Sequence, residues 1–145
     1  MRIIKYIVVH CTATQPEATV KAIQRYWKEV CHWNNPGYHY IIERDGTIVQ
    51  LQKEELIANG VAGHNSNSIH ISTIGGIDRK GKPFDNRTPK QQQALFNKII
   101  ALTEKYKGAQ VIGHRDFPGV KKACPSYDVR KWLSSYEPDV IKKAA

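Results

Sequence analysis

The chain has no long hydrophobic run. Nothing in its 145 residues approaches the roughly 20 consecutive apolar residues that span a bilayer, so no membrane span is expected. The apolar start, Met1 to His10, is short and has no small-residue cleavage site. It does not read as a signal peptide. Cysteine is scarce: three residues, at positions 11, 31 and 124. An odd count does not suit a disulfide framework, and reduced thiols in a reducing compartment are the simpler expectation. Acidic residues are also few, 13 against 22 Lys and Arg, which leaves a net charge of +9. Such a chain is drawn to polyanions, nucleic acid or an anionic cell envelope among them. The basic residues are spread out, however, and no dense block reads as a nucleic-acid arm. Repeats, low-complexity tracts and linkers are absent. The length suits one domain.

What is present alternates between strand and helix signals. Residues 3–9, IIKYIVV, predict a buried strand ending at His10. Val20, Ile23, Trp27, Val30 and Trp33 recur at spacings of three and four, one face of a helix over 19–33. The stretch GYHYIIERDGTIVQLQ carries Asp45-Gly46 between two β-rich runs, a hairpin signal. Residues 69–74 predict a strand closed by Gly75-Gly76. Thr88-Pro89-Lys90-Gln91 is a capping box with proline at the first helical position. The helix it opens carries Leu95, Phe96, Ile99, Leu102 and Tyr106 on one side and stops at Gly108. Residues 110–113 predict a short strand leading into His114. A last helix follows Asp128, with Val129, Trp132, Leu133 and Tyr136 inward. The fold class expected is α/β, a central mixed sheet flanked by about three helices in one domain. That domain covers 1–138, with a frayed tail over 139–145.

Three segments hold the chemistry. They are VVHCTAT at 8–14, PGYHY at 36–40, and GHRD at 113–116 with KACP at 122–125. His10, His114 and Cys124 form a three-ligand set suited to catalytic zinc, which takes nitrogen and sulfur and keeps one position open for water. The soft thiolate favours zinc over magnesium or calcium, and water on the ion becomes a nucleophile near neutral pH. The loop from His114 to Cys124 is rich in Arg, Asp, Pro, Gly and Lys, so it is an exposed turn that can bring both ends to one ion. Donors aimed at an amide oxyanion aid hydrolysis; Lys122 is expected at the rim of the site, and Tyr38 to donate through its hydroxyl and help hold the water. Cys11 is expected to be dispensable for the metal, because strand alternation turns it from the face of His10. Taken from the residues alone, two alternatives stay open: ordinary buried histidines with a core cysteine, or a Cys124 nucleophile with His114 as its base.

With the flanking stretches added, GYHYIIERDGTI at 37–48, NSI at 67–69 with IGGIDRKGK at 74–82, TPKQ at 88–91 and GHRDFPGVKKACPSYD at 113–128, the chain resembles a known family. It is similar to the zinc-dependent N-acetylmuramoyl-L-alanine amidases of the phage-lysozyme type, related to peptidoglycan recognition proteins. The resemblance implies one zinc ion per chain on His10, His114 and Cys124, with Tyr38 and Lys122 catalytic. It implies cleavage of the amide between the lactyl group of N-acetylmuramic acid and L-alanine in peptidoglycan. It also implies synthesis in the cytoplasm without a leader, with access to the wall through a separate membrane lesion. A monomer is expected. Two positions depart from the family pattern. Gly60 stands where members often carry a His or an aromatic residue, and His70 stands where glycine usually follows Asn-Ser-Ile. His64 reads as a solvated loop residue. Two other functions compete: a non-catalytic peptidoglycan-binding module of the same fold, which is expected to have lost a ligand, and a basic regulator of nucleic acid or a polymerase.

Overall fold

A computed structural model describes residues 2–138; the expected frayed tail at 139–145 lies outside them. Five strands, β1 (Tyr6–Cys11), β2 (Tyr40–Ile42), β3 (Ile48–Gln50), β4 (Ser68–Thr73) and β5 (Gln110–Gly113), and three helices, α1 (Val20–Glu29), α2 (Pro89–Lys105) and α3 (Val129–Ser135), follow the expected order. The strands form one mixed sheet in the order β3-β2-β4-β1-β5. β1 runs parallel to β4 and β5, β2 runs parallel to β4, and only β3 is antiparallel. Among the described residues no helix is long and apolar enough to cross a membrane.

Alternation along the strands divides the sheet into two chemically different faces. Ile7 and Val9 of β1, Tyr40 and Ile42 of β2, and Ile69 and Ile71 of β4 meet Leu95, Ile99 and Leu102 of α2 and Val129 of α3 in one apolar core. The intervening residues point the other way. Ile41 packs against Ile23 and Trp27 of α1, and Val8 against Val61, Ile112 and Phe117. Between these two clusters the second face carries buried polar groups, His10, Ser68, His70 and Ser72.

The capping box forms as expected. The Thr88 hydroxyl accepts from Gln91 N–H, and the Gln91 side chain accepts from Thr88 N–H. Gln91 Nε2 also donates to the carbonyls of Ile42 and Ile74 at 3.1 Å, so one residue starts α2 and ties it to the sheet. Gly46, at φ +91°, turns the β2–β3 hairpin. Two expectations need correction. The first strand begins at Tyr6 rather than residue 3, and Ile3 is 73% exposed. Lys5 already sits at the sheet margin, its N–H bonded to Asn67 and its carbonyl to Gln110 N–H. Helix α1 stops at Glu29 rather than running to 33, which leaves Val30 exposed. His32 takes a left-handed conformation, φ +55°, and Trp33 N–H reaches back to the Trp27 carbonyl. That is a helix-terminating turn usually signalled by glycine.

Candidate metal centre

His10 and Cys11 are the last two residues of β1, and His114 follows β5 directly, where its Gly113 pairs with Val9. The carboxyl ends of parallel strands therefore supply two imidazoles to one place. A 3-10 turn at His114–Asp116 lifts the chain off the sheet. Asp116 Oδ2 accepts from Gly113 N–H at 2.8 Å and fixes that turn. The loop then folds back on itself, with Arg115 N–H bonded to the Cys124 carbonyl at 2.9 Å. His114 and Cys124 are thus neighbours despite nine intervening residues, as the loop composition suggested.

The potential ligand atoms of His10, His114 and Cys124 all lie within 4.8 Å of one another. Cys124 Sγ is 3.8 Å from His10 Nδ1, close to the roughly 3.5 Å edge expected between nitrogen and sulfur around tetrahedral zinc. Both rings are suited to be neutral donors. Burial pushes His10 well below the ordinary imidazole range, helped by His70, His114 and Lys122. Burial and the Lys122 charge bring His114 down to about 4. Two imidazole lone pairs and one sulfur, His10 buried and His114 and Cys124 half-buried, fit a zinc ion by the chemistry of the donor set.

Cys11 leaves β1 on the side expected: its side chain alternates away from His10, toward Ser126 Oγ at 3.8 Å. Its backbone N–H nevertheless donates to Cys124 Sγ at 3.3 Å, and the Cys124 Sγ lies 3.6 Å from the Cys11 carbonyl oxygen. A thiolate on either sulfur is stabilised by the other S–H, so the first proton is lost more easily and the second is held. Cys11 is therefore a neighbour of the proposed ligand sulfur rather than a bystander.

Tyr38 precedes β2 and lies against His10, ring centroids 5.0 Å apart. Its hydroxyl donates to the Cys11 carbonyl at 3.2 Å. Burial, with Cys124 beside it, holds the phenol well above its ordinary range, so it keeps its proton. Trp27 meets Tyr38 edge-on at 5.4 Å, and Gly37 allows that approach, since a Cβ there would fall 2.8 Å from the indole. Lys122 is exposed. It lines the same cleft as the three candidate ligands, about 640 Å³ in volume, which continues over Ile23, Tyr26 and Trp27 of α1. The structure thus brings together all five residues singled out in the sequence.

It also places histidines that had no expected role at the site. His10 Nε2 is 2.9 Å from His70 Nδ1, and His70 Nε2 is 2.9 Å from Asn65 Oδ1. His39, fully buried, accepts from the His70 backbone N–H on Nδ1 and donates to the Leu56 carbonyl from Nε2. His64 is a turn residue as expected but only half-exposed: its ring packs on Phe117 with centroids 4.3 Å apart.

Fold and site together define a small α/β protein with three candidate metal donors lining a cleft. The sequence profile of the N-acetylmuramoyl-L-alanine amidases matches residues 1–127, and the chain belongs to that family. It is 40% identical over 132 residues to an endolysin of Escherichia phage T7, covering 90% of this chain and 86% of that protein. An endolysin of Klebsiella phage KP32 is 39% identical over the same length and coverage. Among solved structures, the N-acetylmuramoyl-L-alanine amidase LysC of Clostridium intestinale shares the fold with a TM-score of 0.78 at 24% identity, over 92% of this chain and 85% of that one. A bumblebee peptidoglycan recognition protein, PGRP-SA, shares it with a TM-score of 0.75 at 20% identity, over 94% and 83%.

Proposed function

We infer that this chain is a zinc-dependent N-acetylmuramoyl-L-alanine amidase of the phage endolysin kind. It adds water across the amide joining the lactyl group of N-acetylmuramic acid to L-alanine. The products are a lactyl carboxylate and a stem peptide with a free α-amine. One observation carries the reading: in a member of this family, the candidate ligand atoms of His10, His114 and Cys124 converge within 4.8 Å at the head of a cleft.

His10, His114 and Cys124 hold the ion, one per chain. When bound, zinc supplies Lewis acidity that activates water and polarises a carbonyl near neutral pH. The protein side chains do the rest. Lys122, on the flexible stem beside Cys124, donates to the oxygen that gains negative charge as the amide carbon becomes tetrahedral. Tyr38 keeps its proton, which it gives to the Cys11 carbonyl, so its hydroxyl oxygen on the cleft wall is left to accept from water and help hold it. The apolar wall of Ile23 and Trp27 holds the peptide side of the substrate and keeps bulk water out. All these parts come from one chain, which supports action as a monomer over residues 1–138. The place of action is the cell wall, reached through a lesion made by another factor. A binding-only module is disfavoured because all three donors are present and converge.

The test is digestion of purified sacculi by zinc-loaded protein, followed by mass analysis. The expected products are free stem peptides beginning with L-alanine and uncut glycan strands. Glycan fragments that still carry their peptides would refute the assignment.

A further inference from the structure

The two positions that depart from the family pattern, Gly60 and His70, occupy one spot in the structure. A Cβ on residue 60 would lie 2.3 Å from His70 Nδ1 and 2.5 Å from its Cγ and Cε1. The His70 ring therefore fills the space that any side chain at 60 would need. His70 is fully buried and points from the middle of β4 to the same sheet face as His10. The register pairs it with Val8, two residues before His10, so the two rings are diagonal neighbours across parallel strands.

The hydrogen-bond chain through His70 has a direction that a backbone group fixes. Val61 N–H can only donate, and it bonds Asn65 Oδ1 at 2.8 Å. That oxygen is an acceptor, so the partner on its other side, His70 Nε2 at 2.9 Å, must carry a hydrogen. A neutral imidazole has one N–H, which leaves His70 Nδ1 with a lone pair. His10 Nε2, 2.9 Å away, then has to be the N–H. The remaining lone pair of His10 sits on Nδ1, the atom that faces Cys124 Sγ at 3.8 Å. The order is Val61 N–H to Asn65, Asn65 to His70, His70 to His10. Each link leaves only one choice for the next.

We propose that His70, held by Asn65 and admitted by Gly60, is a positioning residue that locks His10 in the Nε2–H tautomer and aims its Nδ1 lone pair into the metal centre. This rests on the zinc reading of the site. It does not need His70 to touch substrate or metal. Outer partners that hold a ligating histidine this way typically matter 10–100-fold in metal affinity. Without His70, His10 would keep a buried nitrogen with no partner and would be free to present a proton toward the ion.

The test uses the full chain stripped of metal. Long-range proton–nitrogen spectra report which nitrogen of His10 is protonated, and zinc titration against a competing chelator reports affinity. In the unsubstituted protein His10 is expected as a single Nε2–H tautomer. His70→Leu removes the acceptor; the spectrum should become a tautomer mixture and the zinc dissociation constant should rise about 10–100-fold. His70→Asn places a carbonyl oxygen near the lost Nδ1 and should recover a large part of both. Gly60→Ala, which leaves His70 in the sequence but pushes its ring aside, should resemble His70→Leu. An Nδ1–H tautomer of His10 in the unsubstituted protein would overturn the proposal. So would zinc affinity in His70→Leu equal to that of the parent, or a His70→Asn variant as weak as His70→Leu. If the unsubstituted protein failed to bind zinc at these residues, the metal reading would fall, while the His10 spectrum would still decide the role of His70.

Discussion

The two faces of the central sheet are built from the same strands and do opposite work. On the helix face, Ile7, Val9, Ile69 and Ile71 meet α2 and α3 in hydrocarbon. One residue along each strand, the other face holds His10, Ser68, His70 and Ser72, buried just as deeply. Burial of apolar groups is favourable in itself, whereas buried polar groups cost stability unless they find partners, as His10 and His70 do in one another and Ser68 does in the His64 carbonyl. The first face therefore secures the fold. The second spends some of that stability to hold imidazoles in fixed directions.

Breaking the polar face should have the largest effect on function. Cys124→Ala removes one of three proposed ligands and should abolish zinc retention and amidase activity while the circular dichroism spectrum stays folded. Stoichiometric zinc in that variant would remove Cys124 from the ligand set. Lys122→Ala should keep zinc but slow turnover about 10²–10³-fold, the usual cost of losing one oxyanion donor; an unchanged rate on sacculi would remove Lys122 from the chemistry. The apolar face should respond in the opposite manner. Leu95→Ala should cost about 2–5 kcal/mol of stability in denaturant unfolding and leave zinc affinity in the surviving folded protein as it was. Loss of affinity there would mean that the two faces are not separable.

The smallest effect concerns Glu54, a polar anchor beside the helix face. Its burial alone would raise its pKa, but hydrogen bonds from Tyr106, Tyr40 and Lys105 outweigh that and hold it at about 2. The folded value lies below the ordinary carboxylate value of 4.5, so the unfolded chain takes up the proton first. Stability from this group is present above pH 4.5 and is lost as pH falls toward 2. Glu54→Gln should flatten that part of the acid-unfolding curve. An identical acid limb in the variant would contradict the anchor.

Much of this was legible in the sequence, for identifiable reasons. The capping box at Thr88 and Gln91 and the Asp45-Gly46 turn are local signals, and both formed. His10, Tyr38, His114, Lys122 and Cys124 were legible because each lies in a short motif with chemistry of its own. Less was legible where the third dimension decides. The end of α1 at Glu29 depends on His32 adopting a conformation for which glycine is the usual mark. Alternation says which way the Cys11 side chain leaves its strand and not what folds over the strand end; here that is Cys124, whose sulfur accepts from the Cys11 N–H. The role of His70 had one faint trace. Ser68, His70 and Ser72 put polar groups at every second position of a strand whose other positions are Ile69, Ile71 and Thr73. That pattern marks a polar face, yet the pairing of His70 with Gly60 appears only when the loop lies on the sheet.

The most direct test of the central claim is zinc content combined with X-ray absorption at the zinc edge on protein purified without chelator. One zinc per chain, with two imidazole nitrogens and one sulfur as its protein donors, is the result predicted. A chain without zinc, or a first shell with two sulfurs from Cys11 and Cys124 together, would contradict it.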